Sequence, residues 1–283
     1  MKLMALSEAI ESHVKDGQSV ALEGFTHLIP FAAGHEIIRQ RRRDLHLIRM
    51  TPDLLYDQMI GMACANRLTF SWGGNPGVGS LHRLRDAVEN EWPQPLQLFE
   101  HSHAEMAVAY TAGASGLPCG FMRRHVDTDL ARGSSARIRP VKCPFTDEPL
   151  TAVASINPDV TILHAQQVDA AGNVLIRGIV GAVREAAMAA RCLIVTVEEQ
   201  VESLTADMNA IVLPAFLVSA VAVVPGGAYP SYAQDYYARD NSFYLAWDDI
   251  ARDRKSFLIW MERHVLGTRD HAELLRALKV SPA

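Results

Sequence analysis

Side chains that could do chemistry follow an apolar run near the start of the chain. The run at 20–22 is followed at once by Glu23, Gly24, Phe25, Thr26 and His27. A carboxylate at the end of a strand is well placed to act as a nucleophile or as a general base. Glu23 is therefore the first candidate for a catalytic residue.

Three further apolar runs also end in polar segments. They are followed by Arg49 to Asp53, by the loop 71–80, and by the segment Glu100 to His103. If the runs are parallel strands, their carboxyl ends meet at one edge of a sheet, where ligands bind in such folds. Arginine and histidine there would suit a substrate carboxylate. The hypothesised carboxylate-binding residues are His27, Arg49, His101 and His103.

The loop Gly73-Gly74-Asn75-Pro76-Gly77-Val78-Gly79 is the strongest local feature. Its four glycines allow a close approach of the backbone to a ligand, and the following helix has free N–H groups for an anion. It is neither a Walker loop nor a complete dinucleotide fingerprint. A ligand-binding loop and a tight strand–helix connection both remain open.

Other catalytic chemistries find little support. His101 and His103 could share one face of an extended segment, but no third ligand has suitable spacing, so we predict no metal. The serine nucleophile elbow Gly-x-Ser-x-Gly is missing from the sequence. Glu198 and Glu199 follow a later apolar run and could do acid–base work or form a salt-bridged strand end.

Strand and helix patterns alternate along most of the chain. Strands are predicted at 20–22, 45–50, 68–72, 96–99, 160–164, 174–176 and 192–197, and helices at 6–14, 32–43, 54–65, 81–90, 104–112 and 181–190. The alternation predicts an α/β fold with an open, mainly parallel sheet and helices on both faces. We expect a single domain over 1–283, with a long irregular excursion at about 113–150, where glycine and proline are frequent.

Composition excludes several partner classes. The chain has 283 residues and a net charge of −5, which argues against nucleic acid or an anionic membrane surface. The most apolar region, 211–224, is shorter than the roughly 20 residues that span a bilayer. The four cysteines are far apart, as expected for a cytoplasmic protein without disulfides or a zinc site.

Several of these segments resemble the A subunits of type I coenzyme A transferases. The N-terminal signature is similar at Asp16-Gly17, the apolar residues 20–22, Glu23-Gly24-Phe25 and Pro30. "DVTILHAQQVDAAGNVLIRG", "IVTVEE", and "PGGAYPSY" followed by "RDN" resemble the second half of the family. The forms "EGFTHLIP", "RMTPDL", "SWGGNPGVGSLHRLRDAVE" and "GASGLP" are most similar to the branch that acts on 3-oxoadipate, and the chain also resembles glutaconate CoA-transferase A subunits.

The resemblance implies a coenzyme A transferase (NagB/RpiA-like) fold and a defined reaction. CoA would pass from succinyl-CoA to 3-oxoadipate in aromatic catabolism, through an acyl-glutamyl anhydride and a glutamyl-CoA thioester. In the family the nucleophilic glutamate lies in a Ser-Glu-Asn-Gly motif of the B subunit, and that motif is absent from this sequence. The resemblance therefore implies a hetero-oligomer, A2B2 or larger, with no catalytic residue in this chain, no metal and no cofactor.

The predicted substrate-binding residues combine the loops that the resemblance implies for the acyl pocket, around Gly24–His27 and Asn75–Gly77, with the hypothesised carboxylate-binding residues and their neighbours. They are Glu23, Gly24, Phe25, Thr26, His27, Arg49, Gly74, Asn75, Pro76, Gly77, His101 and His103. Phe25 would shield the hydrolysable anhydride from water. Glu23 stands where the family pattern has glycine, so its role is open between repelling a wrong acid, bonding a backbone group and pairing with a histidine.

Two alternative functions remain. One is a CoA-thioester hydrolase or ring-cleaving relative, with Glu23 or Glu100 of this chain as the working carboxylate. The other is a non-catalytic ligand-binding or regulatory protein on a sugar-isomerase-like fold.

Overall fold

The computed structural model describes residues 2–75, 77–123, 129 and 137–280. The strands are β1 (Lys2–Leu3), β2 (Ser19–Leu22), β3 (Leu45–Ile48), β4 (Ala65–Phe70), β5 (Gln97–Glu100), β6 (Cys119–Arg123), β7 (Ile138–Lys142), β8 (Pro149–Ala154), β9 (Val160–Val168), β10 (Val174–Ile176), β11 (Cys192–Gln200), β12 (Ile211–Leu213) and β13 (Ala220–Val223). The α-helices are α1 (Leu6–His13), α2 (Phe31–Arg39), α3 (Leu54–Gly61), α4 (His82–Glu89), α5 (His103–Ala114), α6 (Val183–Ala189), α7 (Asn241–Arg252), α8 (Arg254–Met261) and α9 (His271–Ala277). A short 3-10 helix spans Ala215–Leu217, and a π-helical turn spans Glu262–Leu266.

The main sheet has the order β1-β13-β11-β9-β2-β3-β4-β5, with parallel pairing along this path. The predicted α/β fold with a mainly parallel sheet is confirmed. From β2 the chain builds outward to β5, and from β9 it builds in the opposite direction to β13. The reversal falls between β2 and β9, and a crevice opens at such a point beyond the carboxyl ends of the strands. The loop after β2 begins at this crevice.

Helices cover both faces of the main sheet, as predicted. Val20 and Leu22 of β2 join the large core that includes residues of α1 to α4, α7 and α8. Ala21, between them, faces the other way and packs with Met106 and Tyr110 of α5. Val20, Ala21 and Leu22 are all fully buried, which explains why three apolar residues follow one another here.

Two helices end earlier than predicted. The sequence pattern extended the helices to 43 and 65, whereas α2 ends at Arg39 and α3 at Gly61. Each is followed by a non-glycine residue in the left-handed region, Arg41 at φ +54° and Ala63 at φ +57°. The N–H of the residue after it then donates a hydrogen bond to a carbonyl in the last turn of the helix, as in a Schellman motif. Glycine, which usually marks the end of a helix, is absent from both positions, so the sequence pattern predicted helices that were too long.

The predicted irregular excursion at 113–150 is wrong for much of its described part. Strands β6, β7 and β8 form an antiparallel sheet in the order β6-β8-β7. The residues that indicated irregular structure have local uses here. Pro140 lies in the edge strand β7, where a missing N–H is tolerated. A Cβ at Gly120 would lie 2.4 Å from a methyl carbon of Val108, so glycine lets β6 approach α5.

The glycine-rich loop between β4 and α4 is anchored on α3 from both sides. Asn75 in the loop accepts a hydrogen bond at Oδ1 from the N–H of Leu54, at 2.9 Å. Asp57 of α3 accepts bonds at Oδ1 from the N–H groups of Arg83 and Leu84, at 2.8 and 2.9 Å. Burial raises the pKa of Asp57 to about 7, against the lowering effect of these two donors.

Helices α7 to α9 complete the described chain. The first of these helices, α7, begins at Asn241. Among the helices described here, none combines the length and the apolar character that a bilayer crossing requires.

We predict that Asp57→Asn makes the protein increasingly more stable than wild type as the pH rises. The folded-state pKa of Asp57 is raised, so its favourable contribution is present below the unfolded pKa of 3.8 and is lost as the pH rises through about 7. The amide oxygen of asparagine keeps both backbone bonds without a buried charge. The difference in free energy of unfolding, measured by urea titration between pH 4 and 8, should grow and then level off at about 1 to 4 kcal/mol.

Asp253→Asn is the matched control. This exposed carboxylate caps α8, and hydrogen bonds from Ser256 lower its pKa. Its removal should not produce a gain that rises with pH. A flat pH profile for Asp57→Asn relative to wild type would contradict the interpretation of Asp57.

Candidate active site

A cavity of about 340 Å³ lies beyond the carboxyl ends of the central strands. It is lined by residues from the loops after β2, β3 and β4, from the start of α5 and from the beginning of α7. They are Phe25, Thr26, Ile29, Arg49, Thr51, Asp53, Trp72, Gly74, His103, Arg239 and Tyr244. The early strand-end loops therefore converge on one site, as their positions in a parallel sheet predict.

Arg49 holds two of these loops together. Its Nη1 donates to Asp53 Oδ1 at 3.0 Å, and its Nη2 donates to the carbonyl of Gly24 at 2.7 Å. The guanidinium carbon lies 5.6 Å from the ring centroid of Tyr56. Arg49 is only 1% exposed. Burial has the largest single effect and lowers its pKa, but Asp53 together with Tyr56, Glu23 and Tyr244 outweighs burial, so the pKa is raised and the guanidinium stays charged.

The loop after β2 is tightly turned. Thr26 and Leu28 both adopt left-handed backbone conformations, at φ +57° and +52°. A Cβ at Gly24 would lie 2.8 Å from the carbonyl oxygens of His27 and Leu28, so only glycine fits there. Left-handed conformations at non-glycine residues persist where the surrounding structure holds them in place, often at functional sites.

Glu23 is not among the described lining residues of the cavity and is 3% exposed. Its Oε1 accepts a hydrogen bond from the hydroxyl of Tyr110 at 2.7 Å and from the N–H of Met50 at 3.3 Å. Burial raises the pKa of Glu23, opposed by the charge of Arg49 and by these bonds. Of the three roles left open, backbone bonding is the one seen: Glu23 joins the end of β2 to the end of β3 and to α5.

The predicted site residues fall into two groups. Phe25, Thr26, Arg49, Gly74 and His103 line the cavity. Glu23, Gly24, His27, Asn75, Gly77 and His101 are not among its described lining residues. Pro76 lies outside the described residues.

His27 has both ring nitrogens in hydrogen bonds with the backbone. Nδ1 donates to the carbonyl of Ile179 at 3.2 Å, and Nε2 accepts from the N–H of Gln234 at 3.0 Å. Its ring centroid lies 4.4 Å from that of Tyr232. Burial is the main cause of its lowered pKa. His27 therefore fixes the loop after β2 against two later segments as a neutral imidazole.

The pair Glu198-Glu199 forms hydrogen bonds at the end of β11. Glu198 accepts bonds from His164 at 2.6 Å and from the N–H of Gly226 at 2.7 Å. Burial raises its pKa, but these donors and the hydroxyl of Tyr237 outweigh burial and lower it. Glu199 accepts a bond from the Tyr236 hydroxyl. Neither glutamate lines the cavity, and the described residues hold no group of His, Cys, Asp or Glu arranged for a metal ion.

Arg239 and Tyr244 are lining residues that sequence reasoning did not select. The guanidinium carbon of Arg239 lies 4.2 Å from the ring centroid of Tyr244, within cation–π distance. The sequence signal was the "RDN" segment, which resembles a known family pattern but to which the sequence analysis assigned no function. Its position beside the strand-end loops arises from tertiary packing.

Comparison with known proteins gives consistent likenesses. The family model described as "Coenzyme A transferase" matches residues 3–223. The chain is 59% identical to the A subunit of a 3-oxoadipate CoA-transferase from Pseudomonas knackmussii, over 96% of this chain and 96% of that protein.

Solved structures agree with this likeness. The crystal structure of glutaconate coenzyme A-transferase from Acidaminococcus fermentans superposes with a TM-score of 0.90 at 28% identity, over 98% of this chain and 93% of that one. A variant of the decarboxylase AibA/AibB superposes with a TM-score of 0.79 at 29% identity, over 93% of this chain and 98% of that one.

We predict that Gly24→Ala lowers the free energy of unfolding by about 1 to 3 kcal/mol. The added methyl group would collide with two carbonyl oxygens that the tight loop holds in place. Gly73→Ala is the control, because its Cβ would meet nothing closer than 3.6 Å. Denaturant titration of both variants checks the prediction; equal effects at the two positions would contradict it.

Proposed function

The chain belongs to the coenzyme A transferase family, and from this premise we propose that it forms one half of a two-chain enzyme, the A subunit, which moves CoA from succinyl-CoA to 3-oxoadipate. The observation that carries the proposal is sequence identity to a protein described as that subunit. The two chains are identical at more than half of the aligned positions, over nearly the whole of both.

The proposed reaction exchanges acyl bonds in balanced steps. A glutamate carboxylate of the B subunit first attacks the succinyl thioester and forms an anhydride with release of the CoA thiolate. The thiolate attacks the glutamyl carbonyl, which releases succinate and leaves a glutamyl-CoA thioester. The 3-oxoadipate carboxylate then attacks this thioester and forms a second anhydride with release of the thiolate, which attacks the 3-oxoadipyl carbonyl and gives 3-oxoadipyl-CoA. The glutamate is regenerated, and no electron is gained or lost, so we propose no metal or redox cofactor.

This chain supplies the acyl pocket in the proposal. Asp53 is the carboxylate among the described lining residues of the cavity, and it forms a buried ion pair with Arg49. Such a carboxylate is a poor nucleophile, and this supports a nucleophile on the partner chain. Phe25 and Trp72 place aromatic surface at the cavity, and Trp72 is 43% exposed. We propose that the B subunit covers this surface and excludes water from the anhydride.

The hydrolase alternative requires a working carboxylate in this chain. Glu23 is buried and bonded to Tyr110, and Glu100 is exposed at the end of β5, away from the described lining of the cavity. These positions favour transfer. We also propose a cytoplasmic location, which suits the four free cysteines of the structure.

We predict that the purified chain alone transfers no CoA and that activity appears when the B subunit is added. Hydroxylamine or borohydride trapping after addition of succinyl-CoA should label a glutamate of the B subunit, because the nucleophile lies there. Mass spectrometry of the two separated chains locates the label. Transfer by the chain alone, or a label on it, would overturn the two-subunit proposal.

We predict that Glu23→Gln keeps kcat/KM for CoA transfer within about 3-fold of wild type. The glutamine oxygen still accepts the bonds from Tyr110 and Met50, and the side chain does not line the cavity. The assay uses the A–B complex with succinyl-CoA and 3-oxoadipate, and trapping should still succeed. Loss of acyl-enzyme formation would assign Glu23 a direct catalytic role.

A further inference from the structure

A second cavity of about 290 Å³ lies against the main sheet, outside the candidate active site. It is lined by residues of β2 to β5, by His101 just after β5, by Arg137 just before β7, and by the segment 154–157 at the end of β8. The two cavities share no described lining residue. A ligand in the second cavity would therefore be bound by a different set of side chains.

The strands carry polar side chains on the face that borders the second cavity. Ile48 of β3 packs against α5 on this face, and the alternation of a strand places His46 on the same side. Arg67 of β4 is the register partner of His46, and Thr69 is the register partner of Ile48. Parallel sheets that are covered on both faces usually have apolar strands. Polar side chains at these positions therefore indicate a role other than packing.

Two guanidinium groups, those of Arg67 and Arg137, line the second cavity, and none of its described lining residues is a carboxylate. The described bonds of Arg67 go to neutral oxygens, the Gly17 carbonyl at 3.2 Å and the Asn66 side chain at 3.4 Å. Neither arginine forms an ion pair within the described part of the chain. Both are therefore able to bind an anionic group.

The charges of both arginines reach His46. Burial, followed by the charges of Arg67 and Arg137, lowers the pKa of His46 to about 4, against the opposing effect of Asp159. The imidazole is therefore neutral near pH 7, and its Nε2 lies 2.8 Å from the Thr69 hydroxyl oxygen. The two guanidinium groups thus act on the same region of the second cavity.

Two carboxylates near the second cavity already have partners. Asp159 accepts from the N–H and the hydroxyl of Ser19, at 2.9 and 2.7 Å, and lies 3.5 Å from Arg191. Glu105 accepts from the N–H of Ser102 at 2.7 Å and is fully buried. Neither carboxylate belongs to the described lining, so the arginines remain the charged groups that the second cavity presents to a ligand.

His101 provides an independent sign of a ligand. It lines the second cavity and is 4% exposed, yet its Nδ1 has no hydrogen-bond partner among the described residues. This atom lies 3.7 Å from the carboxylate of Glu105, beyond hydrogen-bond distance. A buried polar group without a partner is uncommon in native proteins and calls for an explanation. The sequence predicted that His101 binds a carboxylate, and the second cavity is where that role is possible.

Apolar surface completes the second cavity. Ile48, Phe99 and Ile156 all belong to its lining. The rings of Phe99 and His46 lie 5.4 Å apart between centroids. A flat apolar body would fit against these rings better than a fully hydrated inorganic ion would.

We propose that the second cavity is a binding site for a small organic carboxylate, whose charged group is bound by Arg67 and Arg137 and whose apolar body packs against Phe99 and Ile156. Planar guanidinium groups match the geometry of a carboxylate and can donate two parallel hydrogen bonds to it. This site is independent of the proposed function, because it shares no described lining residue with the candidate active site.

The first test uses benzoate as the probe, titrated calorimetrically into the full-length chain near pH 7. Benzoate should bind with a Kd of about 1 mM or tighter. Benzamide has the same shape without the charge, and inorganic phosphate has charge without the apolar body. Each should bind at least about 10-fold more weakly than benzoate. A lack of benzoate binding, or equal binding of benzamide or phosphate, would overturn the proposal.

Variants of the two arginines locate the bound benzoate. Arg67→Gln and Arg137→Gln should each lower its affinity by about 10- to 100-fold, because each removes a charge-assisted hydrogen bond. Arg137 is exposed, so its replacement leaves the core intact. Arg139→Gln is the matched control, since Arg139 is also exposed and lies outside the described lining. It should change the affinity by less than about 3-fold. Unchanged affinity in either Arg67→Gln or Arg137→Gln would contradict the proposed site.

A third variant occupies the second cavity without removing a charge. Ser155 belongs to the lining, and its described hydrogen bond is the one from its backbone N–H to the carbonyl of Pro118. Ser155→Phe keeps this bond and places a ring in the space proposed for the ligand. Benzoate binding should be lost while thermal melting shows a folded protein. Binding of benzoate to folded Ser155→Phe with wild-type affinity would show that the ligand lies elsewhere.

Discussion

The buried guanidinium of Arg49 is the interaction on which the rest of the site depends. Removing a charge from water is costly unless it is paired and hydrogen-bonded, and Arg49 meets this condition through Asp53 and the carbonyl of Gly24. Asp53 in turn accepts from the N–H of Leu55 at the start of α3. One cation therefore fixes the first loop, the second loop and a helix start relative to one another. Loss of either member of the Arg49–Asp53 pair would leave the other without its buried counter-charge.

The two carboxylates near Arg49 differ because their surroundings differ. Asp53 forms a direct ion pair at the cavity wall. Glu23 is not among the described lining residues and accepts hydrogen bonds from the Tyr110 hydroxyl and the Met50 N–H. Burial is the main cause of a raised pKa in both carboxylates. Glu23 thus ties β2 to α5. Its side chain supports the backbone around the pocket and is not part of the described lining.

The cavity is assembled from residues far apart in the chain. The strand-end loops supply one part, and Arg239 with Tyr244 supply the part nearest α7. The His27 bonds to Ile179 and Gln234 link the loop after β2 to later segments, and the bond from Leu54 to Asn75 links the loop after β4 to α3. Several residues first selected for their chemistry thus support the backbone around the pocket. Trp72, exposed at the cavity, leaves aromatic surface for the proposed B subunit to cover.

Periodicity by itself determined the α/β class, the alternation of elements and the convergence of the early loops, because buried parallel strands and amphipathic helices need distinct apolar spacings. The family motifs added the reaction. Local patterns missed the ends of α2 and α3, where Arg41 and Ala63 take a conformation usually left to glycine, and the sheet β6-β8-β7, where proline and glycine masked real strands. The tertiary structure decided which polar side chains face the cavity. A histidine or glutamate in a strand-end loop can point to a ligand or to a backbone group, and burial and hydrogen-bond partners, which come from distant segments, select between the two.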